Sequence, residues 1–134
     1  MAADGLTTLK SGFGPRETMN RLEAEAKAKG MTVFARIDHA AGAAGVGLSM
    51  RPTEVLIFGN AKAGTPLMQS IATMAIDLPL KALVWQDAAG TTWLSYNDPR
   101  WLAKRHGLGH EFDAAVGVMA AALAAVAKAA IGSP

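Results

Sequence analysis

The sequence predicts an α+β fold, with a single mainly antiparallel sheet of about five strands and helices packed on one face. Residues 31–38, MTVFARID, alternate between two faces, which is typical of a strand with one covered side. Residues 80–86 and 91–97 form a hairpin pattern around the turn at 87–90. Residues 111–131 carry one apolar seam at spacings of three and four, which predicts a long C-terminal helix.

Local signals predict the remaining elements. Pro15 suits a first helical position and Gly30 a helix end, so a helix is expected between them. Residues 54–60 are apolar on both parities, which predicts a strand covered on both faces, whereas residues 39–48 are glycine-rich and predict loose turns. Further elements are expected as a strand at 6–11, a helix at 66–75 with Thr65 as N-cap, and a helix from Asp98-Pro99 to about Gly107.

Composition limits the class of protein. The 134 residues, 51% hydrophobic and 18% charged, indicate one globular domain over residues 1–134. There is no cysteine, which excludes disulfides, thiolate catalysis and cysteine-built metal centres. A net charge of +2 is too small to indicate a nucleic-acid partner unless it is concentrated on one face.

Neither end of the sequence predicts a membrane role. Residues 1–9 lack a basic start followed by an apolar core, so no secretory signal is expected. Residues 114–131 are apolar but mostly alanine, with Lys128 among them, and alanine contributes little to membrane insertion. We expect a cytoplasmic protein without a membrane partner.

The stretch LIFGNAKAGTPL, residues 56–67, resembles a phosphate-binding loop. Gly59 and Gly64 have the spacing of the nucleotide-binding pattern, but Thr65 stands in place of its lysine and Pro66 in place of its magnesium-binding hydroxyl. The two residues that act on the nucleotide are therefore missing. A tight strand-to-helix turn is the favoured interpretation. The alternative is a weaker anion site that uses Lys62 and the helix N-terminus.

Four motifs follow one another along the sequence: IDH at 37–39, RPTEVLIFGNAKAGTPLM at 51–68, DLPLKALVWQD at 77–87 and YNDPRWLAKRHGL at 96–108. Together they resemble the bacterial family catalogued as domain of unknown function 302. The resemblance covers about residues 12–108 and leaves a C-terminal helical extension at about 110–132 outside it. It implies an α+β fold grouped with the TATA-box-binding-protein-like folds, commonly a homodimer, and no established activity.

One face of the predicted sheet carries large apolar side chains. Lys81, Trp85 and Trp93 share a face of the hairpin, and Phe34 and Arg36 are assigned to the same face from their parity. A face this apolar is seldom left to water, so a partner, a ligand or the C-terminal helix should cover it. We expect it to be a homodimer interface.

Polar side chains near the predicted strand ends are candidates for binding a small anionic or polar ligand. They fall in the stretches that resemble the family, and pockets often form beside strand ends. Several of them could instead cap turns or brace neighbouring elements. The candidates are Arg51, Asn60, Lys62, Thr65 and Tyr96.

Asp38 and His39 are the candidate catalytic residues. His39 could act as a general base, with Arg51 or Lys62 holding an anionic substrate. The alternative, which we favour, is that Asp38 caps the following turn and His39 has a packing role. As sequence neighbours on a strand the two point to opposite sides, so they do not form a dyad with each other.

No metal or cofactor is predicted. His106 and His110 have helical ligand spacing, but Gly107 and Gly109 break the helix between them. The leading hypothesis is a homodimeric domain that binds a small ligand or anion without established catalysis. The alternatives are the enzyme built on His39 and an interaction module that uses the C-terminal helix.

Overall fold

The structure, a computed structural model, describes residues 3–132. It contains five strands: β1 (Leu6–Lys10), β2 (Thr32–Asp38), β3 (Thr53–Gly59), β4 (Leu80–Gln86) and β5 (Thr92–Asn97). They form one antiparallel sheet in the order β1-β5-β4-β3-β2. The predicted α+β class and antiparallel sheet are confirmed.

Five helices accompany the sheet. They are α1 (Pro15–Ala28), α2 (His39–Gly45), α3 (Ala61–Ser70), α4 (Pro99–Arg105) and α5 (Asp113–Ile131), with short 3-10 turns at Ala72–Ile76 and His110–Phe112. The predicted loose turns at 39–48 instead contain the two-turn helix α2. The long C-terminal helix is confirmed.

The start and end of α1 follow the residues that predict them. Pro15 occupies the first helical turn, where its missing N–H has no intrahelical partner to lose. Gly30, just beyond the helix, has a φ of +77°, a left-handed conformation that glycine adopts at low cost. The buried hydroxyls of Ser11 and Thr18 lie 2.6 Å apart and tie β1 to the first turn of α1.

The core lies between the sheet and the α1–α5 helix pair. Alternate residues of the central strands point into it, as the pleat requires. Because α5 contributes fully buried side chains, the C-terminal extension is part of this core. The core residues include Leu22 and Ala26 of α1, Leu56 and Phe58 of β3, Ala82 and Val84 of β4, Leu94 of β5, and Leu123 and Val126 of α5.

A β-bulge at Phe34 corrects the face assigned to Arg36. The β2–β3 register skips Phe34, and Arg36 then pairs with Leu56, whose side chain is fully buried under the helices. An extra residue in one strand shifts the alternation of all later side chains. Arg36 therefore lies on the helix-covered face, not on the open face with Trp85 and Trp93.

Candidate ligand-binding site

A cavity of about 500 Å³ lies between α3, the first half of α5 and the end of the sheet near the bulge. This volume is within the range of small-molecule sites. Its walls come from several elements that are distant in sequence, and most of them are apolar. The larger side chains in the lining are Met31, Phe34, Met68, Leu78, Val118 and Met119.

Much of the cavity surface comes from flexible methionines and from exposed apolar side chains. Met31, Met68 and Met119 are unbranched thioethers that adapt to different ligand shapes. Phe34 is 54% exposed and Val118 is 71% exposed, although both belong to the lining. The cavity thus opens to solvent between two large apolar side chains.

The wall formed by α3 differs from the predicted loop. The sequence predicts a helix that starts at Pro66 with Thr65 as its cap, but α3 begins at Ala61. Asn60 is the cap, since its Oδ1 accepts the N–H of Lys62 at 2.9 Å. Pro66 lies inside the helix, where the carbonyl of Lys62 lacks its usual intrahelical donor. The connection from β3 is one residue long, so the glycines do not form a phosphate loop.

The two glycines of this stretch pack against neighbouring side chains rather than around a phosphate. A Cβ on Gly59 would lie 3.4 Å from Cβ of Pro79, at the close limit of ordinary contact. A Cβ on Gly64 would meet Cδ1 of Leu78 at 3.6 Å and Cε of Met68 at 3.9 Å, which are ordinary contact distances. Both glycines lie in the cavity wall.

The structure does not bring the predicted ligand-binding residues together. Arg51 lies two residues before β3 and Asn60 follows its last residue, so they lie beyond opposite ends of a seven-residue strand that spans about 20 Å. Antiparallel pairing places the end of β2, with Asp38 and His39, beside the start of β3 and therefore at the same end of the sheet as Arg51. Lys62 lies with Asn60 at the opposite end.

The residues at the Arg51 end of the sheet have local roles. Oδ1 of Asp38 accepts the N–H of Ala41 at 2.9 Å and so caps α2, as we favour from the sequence. His39 is exposed at the start of α2 and does not line the cavity. Nε of Arg51 donates to the carbonyl of Gln86 at 3.2 Å, which braces the end of β4.

Of the residues at the other end, Asn60 lines the cavity. Lys62 and Thr65 are exposed on α3 outside the lining. Tyr96 is half-buried in β5, where burial raises the pKa of its hydroxyl while a hydrogen bond with Thr7 acts in the opposite direction. Of the five predicted ligand residues, Asn60 alone lies in the cavity lining.

The open face of the sheet keeps its two tryptophans. Trp85 and Trp93 pair directly across β4 and β5, and each indole N–H has an acceptor within the chain. Nε1 of Trp85 donates to Oγ of Ser95 at 2.9 Å, and Nε1 of Trp93 donates to Oδ2 of Asp87 at 2.8 Å. Lys81 lies exposed on the same face. Both rings are half-buried and have no unsatisfied donor.

Arg36 links the sheet to α1 on the helix-covered face. Its guanidinium donates to both carboxylate oxygens of Glu54, at 2.9 and 3.2 Å, and to Oδ1 of Asn20 at 2.8 Å. It also contacts Glu23 at 3.2 Å. The Glu54 carboxylate, then Glu23, raises the pKa of Arg36, and hydrogen bonds from Lys27 and then Arg36 lower the pKa of Glu23.

A second polar cluster, not predicted from the sequence, joins the Ala72–Ile76 turn to α4. Oδ2 of Asp77 lies 2.6 Å from Nε2 of His106 and 2.7 Å from Nη1 of Arg105. The other ring nitrogen of His106 lies 2.9 Å from Oγ1 of Thr73. Both ring nitrogens of His106 thus have partners within the chain, and within residues 3–132 no three His, Asp or Glu side chains group as metal ligands.

The fold and the cavity define the class of protein: a small α+β domain whose helices and sheet line an open, mostly apolar cavity. The family described as domain of unknown function DUF302 matches residues 7–126. The chain belongs to this family. The match runs into α5, beyond the limit at residue 108 that the resemblance suggests.

Two comparisons with relatives concern longer proteins. The chain is 48% identical over 128 residues to a protein named fluoride-specific ion channel FluC 1 from Brucella suis biovar 1 (strain 1330). It is equally similar to one named FluC 2 from Brucella melitensis biotype 1. The match covers 96% of this chain but 50% and 47% of those proteins, so the chain spans about half their length.

A solved structure shares the fold. It is described as a crystal structure of an uncharacterized conserved DUF302 protein from Bacillus stearothermophilus, and it superposes with a TM-score of 0.83. The two chains are 22% identical, and the superposition covers 96% of this chain and 99% of the other. This similarity supports the fold and carries no statement about a ligand.

Proposed function

We propose that this protein is a binding domain that holds a small apolar molecule in the cavity between α3 and α5. The cavity itself is the observation that carries the proposal. A volume of about 500 Å³ accommodates a small ligand, and burial of apolar ligand surface is favourable. The predicted anion site has less support, since Arg51 and Asn60 lie at opposite ends of β3.

Binding of a neutral fluorescent probe, N-phenyl-naphthylamine, tests the proposal. Ala122 lines the cavity, whereas its neighbour Ala121 is exposed and lies outside the lining. Ala122→Trp places an indole in the cavity and should weaken probe binding at least tenfold. Ala121→Trp makes the same change on the solvent side of α5 and should leave binding unchanged.

Circular dichroism and thermal melting of both variants show whether either substitution disturbs the fold. A wild-type protein that does not bind the probe at all would contradict the proposal. Equal binding by wild type and a folded Ala122→Trp variant would contradict it as well.

We also propose that a second copy of the chain packs on the open face of the sheet. Val55, Ile57 and Leu83 lie on this face with the two tryptophans, and Ile37 beside them is 42% exposed. Contiguous apolar surface of this kind is typical of interaction sites. Because Arg36 faces the helices and Phe34 lines the cavity, the proposed interface keeps Lys81, Trp85 and Trp93 and loses those two residues.

The alternative function, a small enzyme with His39 as base, has weaker support. His39 is exposed, and His39, Arg51 and Lys62 all lie outside the cavity lining. A general base needs a position from which it reaches a bound substrate. We place the ligand site at the opposite end of the sheet from His39.

The name of the Brucella relatives raises the question of where a channel activity would lie. We propose that it belongs to the half of those proteins outside the match. By length and composition, His110–Ile131 could span a membrane, but the inner side of α5 is buried in the core here. We therefore propose a cytoplasmic location for this domain and expect no fluoride flux from it in proteoliposomes.

A further inference from the structure

Among residues 3–132, the cavity lining contains few charged or polar side chains, and none of them is acidic. In the part of the chain that the structure describes, the lining contains one cation, Lys29, one polar side chain, Asn60, and no Asp or Glu. Lys29 follows the last residue of α1 and is exposed. The cavity therefore joins a large apolar surface to a single positive charge.

Lys29 and the amide N–H₂ of Asn60 are both available to a ligand in the described chain. Lys27 pairs with Glu23 at 2.8 Å, but no ion pair of Lys29 occurs within residues 3–132. Oδ1 of Asn60 accepts the N–H of Lys62, which leaves its amide N–H₂ as the donor that it can offer a ligand. A cation and an amide donor together suit an anionic oxygen.

We propose that the ligand is a single-chain amphiphile with a carboxylate head, bound with its chain in the cavity and its head beside Lys29 and Asn60. This inference rests on the proposed function of the cavity and adds the class of ligand. An apolar chain gains free energy by contact with the methionines, Phe34 and Val118. The carboxylate stays near solvent, where its charge is not stripped of water and Lys29 compensates it.

The position of the positive charge makes the proposal specific. A neutral amphiphile of equal length gains the same apolar contacts but no attraction to Lys29. A cationic amphiphile would meet a like charge and no compensating acid, which disfavours binding. Attraction to an exposed lysine is weakened by salt, whereas chain burial is not.

Competition against N-phenyl-naphthylamine tests the proposal with two ligands, dodecanoate and dodecanol, both below their aggregation limits. The variants are Lys29→Met, which keeps an unbranched apolar stem, and Lys27→Met as the matched control, two residues earlier and outside the cavity lining. For Lys29→Met we expect dodecanoate to bind about threefold more weakly, which corresponds to about 0.6 kcal/mol and is typical of a contact with an exposed lysine. Dodecanol should bind as before, and Lys27→Met should change neither ligand.

The outcomes separate this inference from the function on which it rests. If the probe binds and Lys29→Met weakens both ligands equally, or neither, the carboxylate proposal is wrong and the apolar cavity remains a ligand site. If wild type binds neither the probe nor either ligand, both proposals fail. Weaker binding of dodecanoate alone in high salt would be the further result that supports the charge contact.

Discussion

Trp85 and Trp93 occupy directly opposed positions on β4 and β5, with ring centroids 6.2 Å apart and ring planes at 28°. Offset aromatic pairs at this separation stabilise each other beyond their burial. Since Ser95 and Asp87 accept the two indole N–H groups, the outer surfaces of the rings present carbon rather than unpaired donors. This arrangement leaves the open face of the sheet suited to contact with an apolar surface.

The first prediction concerns the oligomeric state. Val55 and Ile37 point to the open face, and a lysine at either position places a charge in the proposed interface. We expect wild type to have twice the 13.9 kDa chain mass by light scattering, and Val55→Lys and Ile37→Lys to shift it toward the monomer.

Val118→Lys is the control for these variants, because it makes the same change at an exposed valine on the helix side. It should leave the mass of the assembly unchanged. A wild-type protein that stays monomeric at high micromolar concentration would contradict the proposed dimer.

The second prediction concerns pH. The hydrogen bond from Trp93, followed by those from the backbone N–H groups of Thr91 and Ala89, holds the pKa of Asp87 below its ordinary 3.8. Because the folded pKa lies below the unfolded one, the stabilising contribution is present above the ordinary value and is lost as the pH falls through the folded pKa.

We therefore expect the tryptophan fluorescence assigned to this contact to stay constant as the pH passes through 3.8 and to change in stronger acid. Asp87→Asn should remove that transition, since an amide does not titrate. Asp113→Asn, at an exposed acid near His110, is the control and should retain it. A transition that survives in Asp87→Asn would show that another group causes it.

The third prediction concerns the cluster created by the bulge. Arg36→Met removes the paired hydrogen bonds to Glu54 and the contacts to α1. With side-chain exposures of 27% and 19% for Arg36 and Glu54, solvent screens part of the interaction. We expect a loss of about 1–2 kcal/mol in the free energy of unfolding, measured with urea.

Lys27→Met is the comparison, because Lys27 forms a surface ion pair with Glu23 and is 61% exposed. Its loss should cost less than about 0.5 kcal/mol. If the two variants were equally stable, Arg36 would not act as the link between β2 and α1 that the distances indicate.

Patterns within single elements predict the strands and most of the helices well. They predict less well how these elements are placed relative to one another. Alternation alone predicts the pleat of β2, and it carries no sign of the extra residue at Phe34. A bulge keeps the strand continuous, but every residue after it points to the opposite face of the sheet from the one that simple alternation predicts. The face of Arg36 could therefore not be obtained from its parity.

The candidate site was missed for a related reason. Arg51 and Asn60 both lie beside strand ends, but they flank opposite ends of the same strand, β3. They are therefore separated by the length of the sheet along its strands. The cavity is built by Met31, Met68 and Met119 from three distant segments, and apolar residues read as core in any helix or strand pattern. One residue does carry a signal of the cavity: Val118 is a large apolar side chain on α5 that lies beside the apolar seam and not within it, so burial in the core does not explain it.

The most direct test of the account is an NMR titration of the methionine methyl groups with N-phenyl-naphthylamine. Met31, Met68 and Met119 line the cavity, Met19 is fully buried in the core, and Met50 is half exposed outside the lining. We predict saturable shifts at the three lining methionines, with those of Met19 and Met50 unchanged. Shifts centred on Met50, or none at the lining methionines, would contradict a ligand site between α3 and α5.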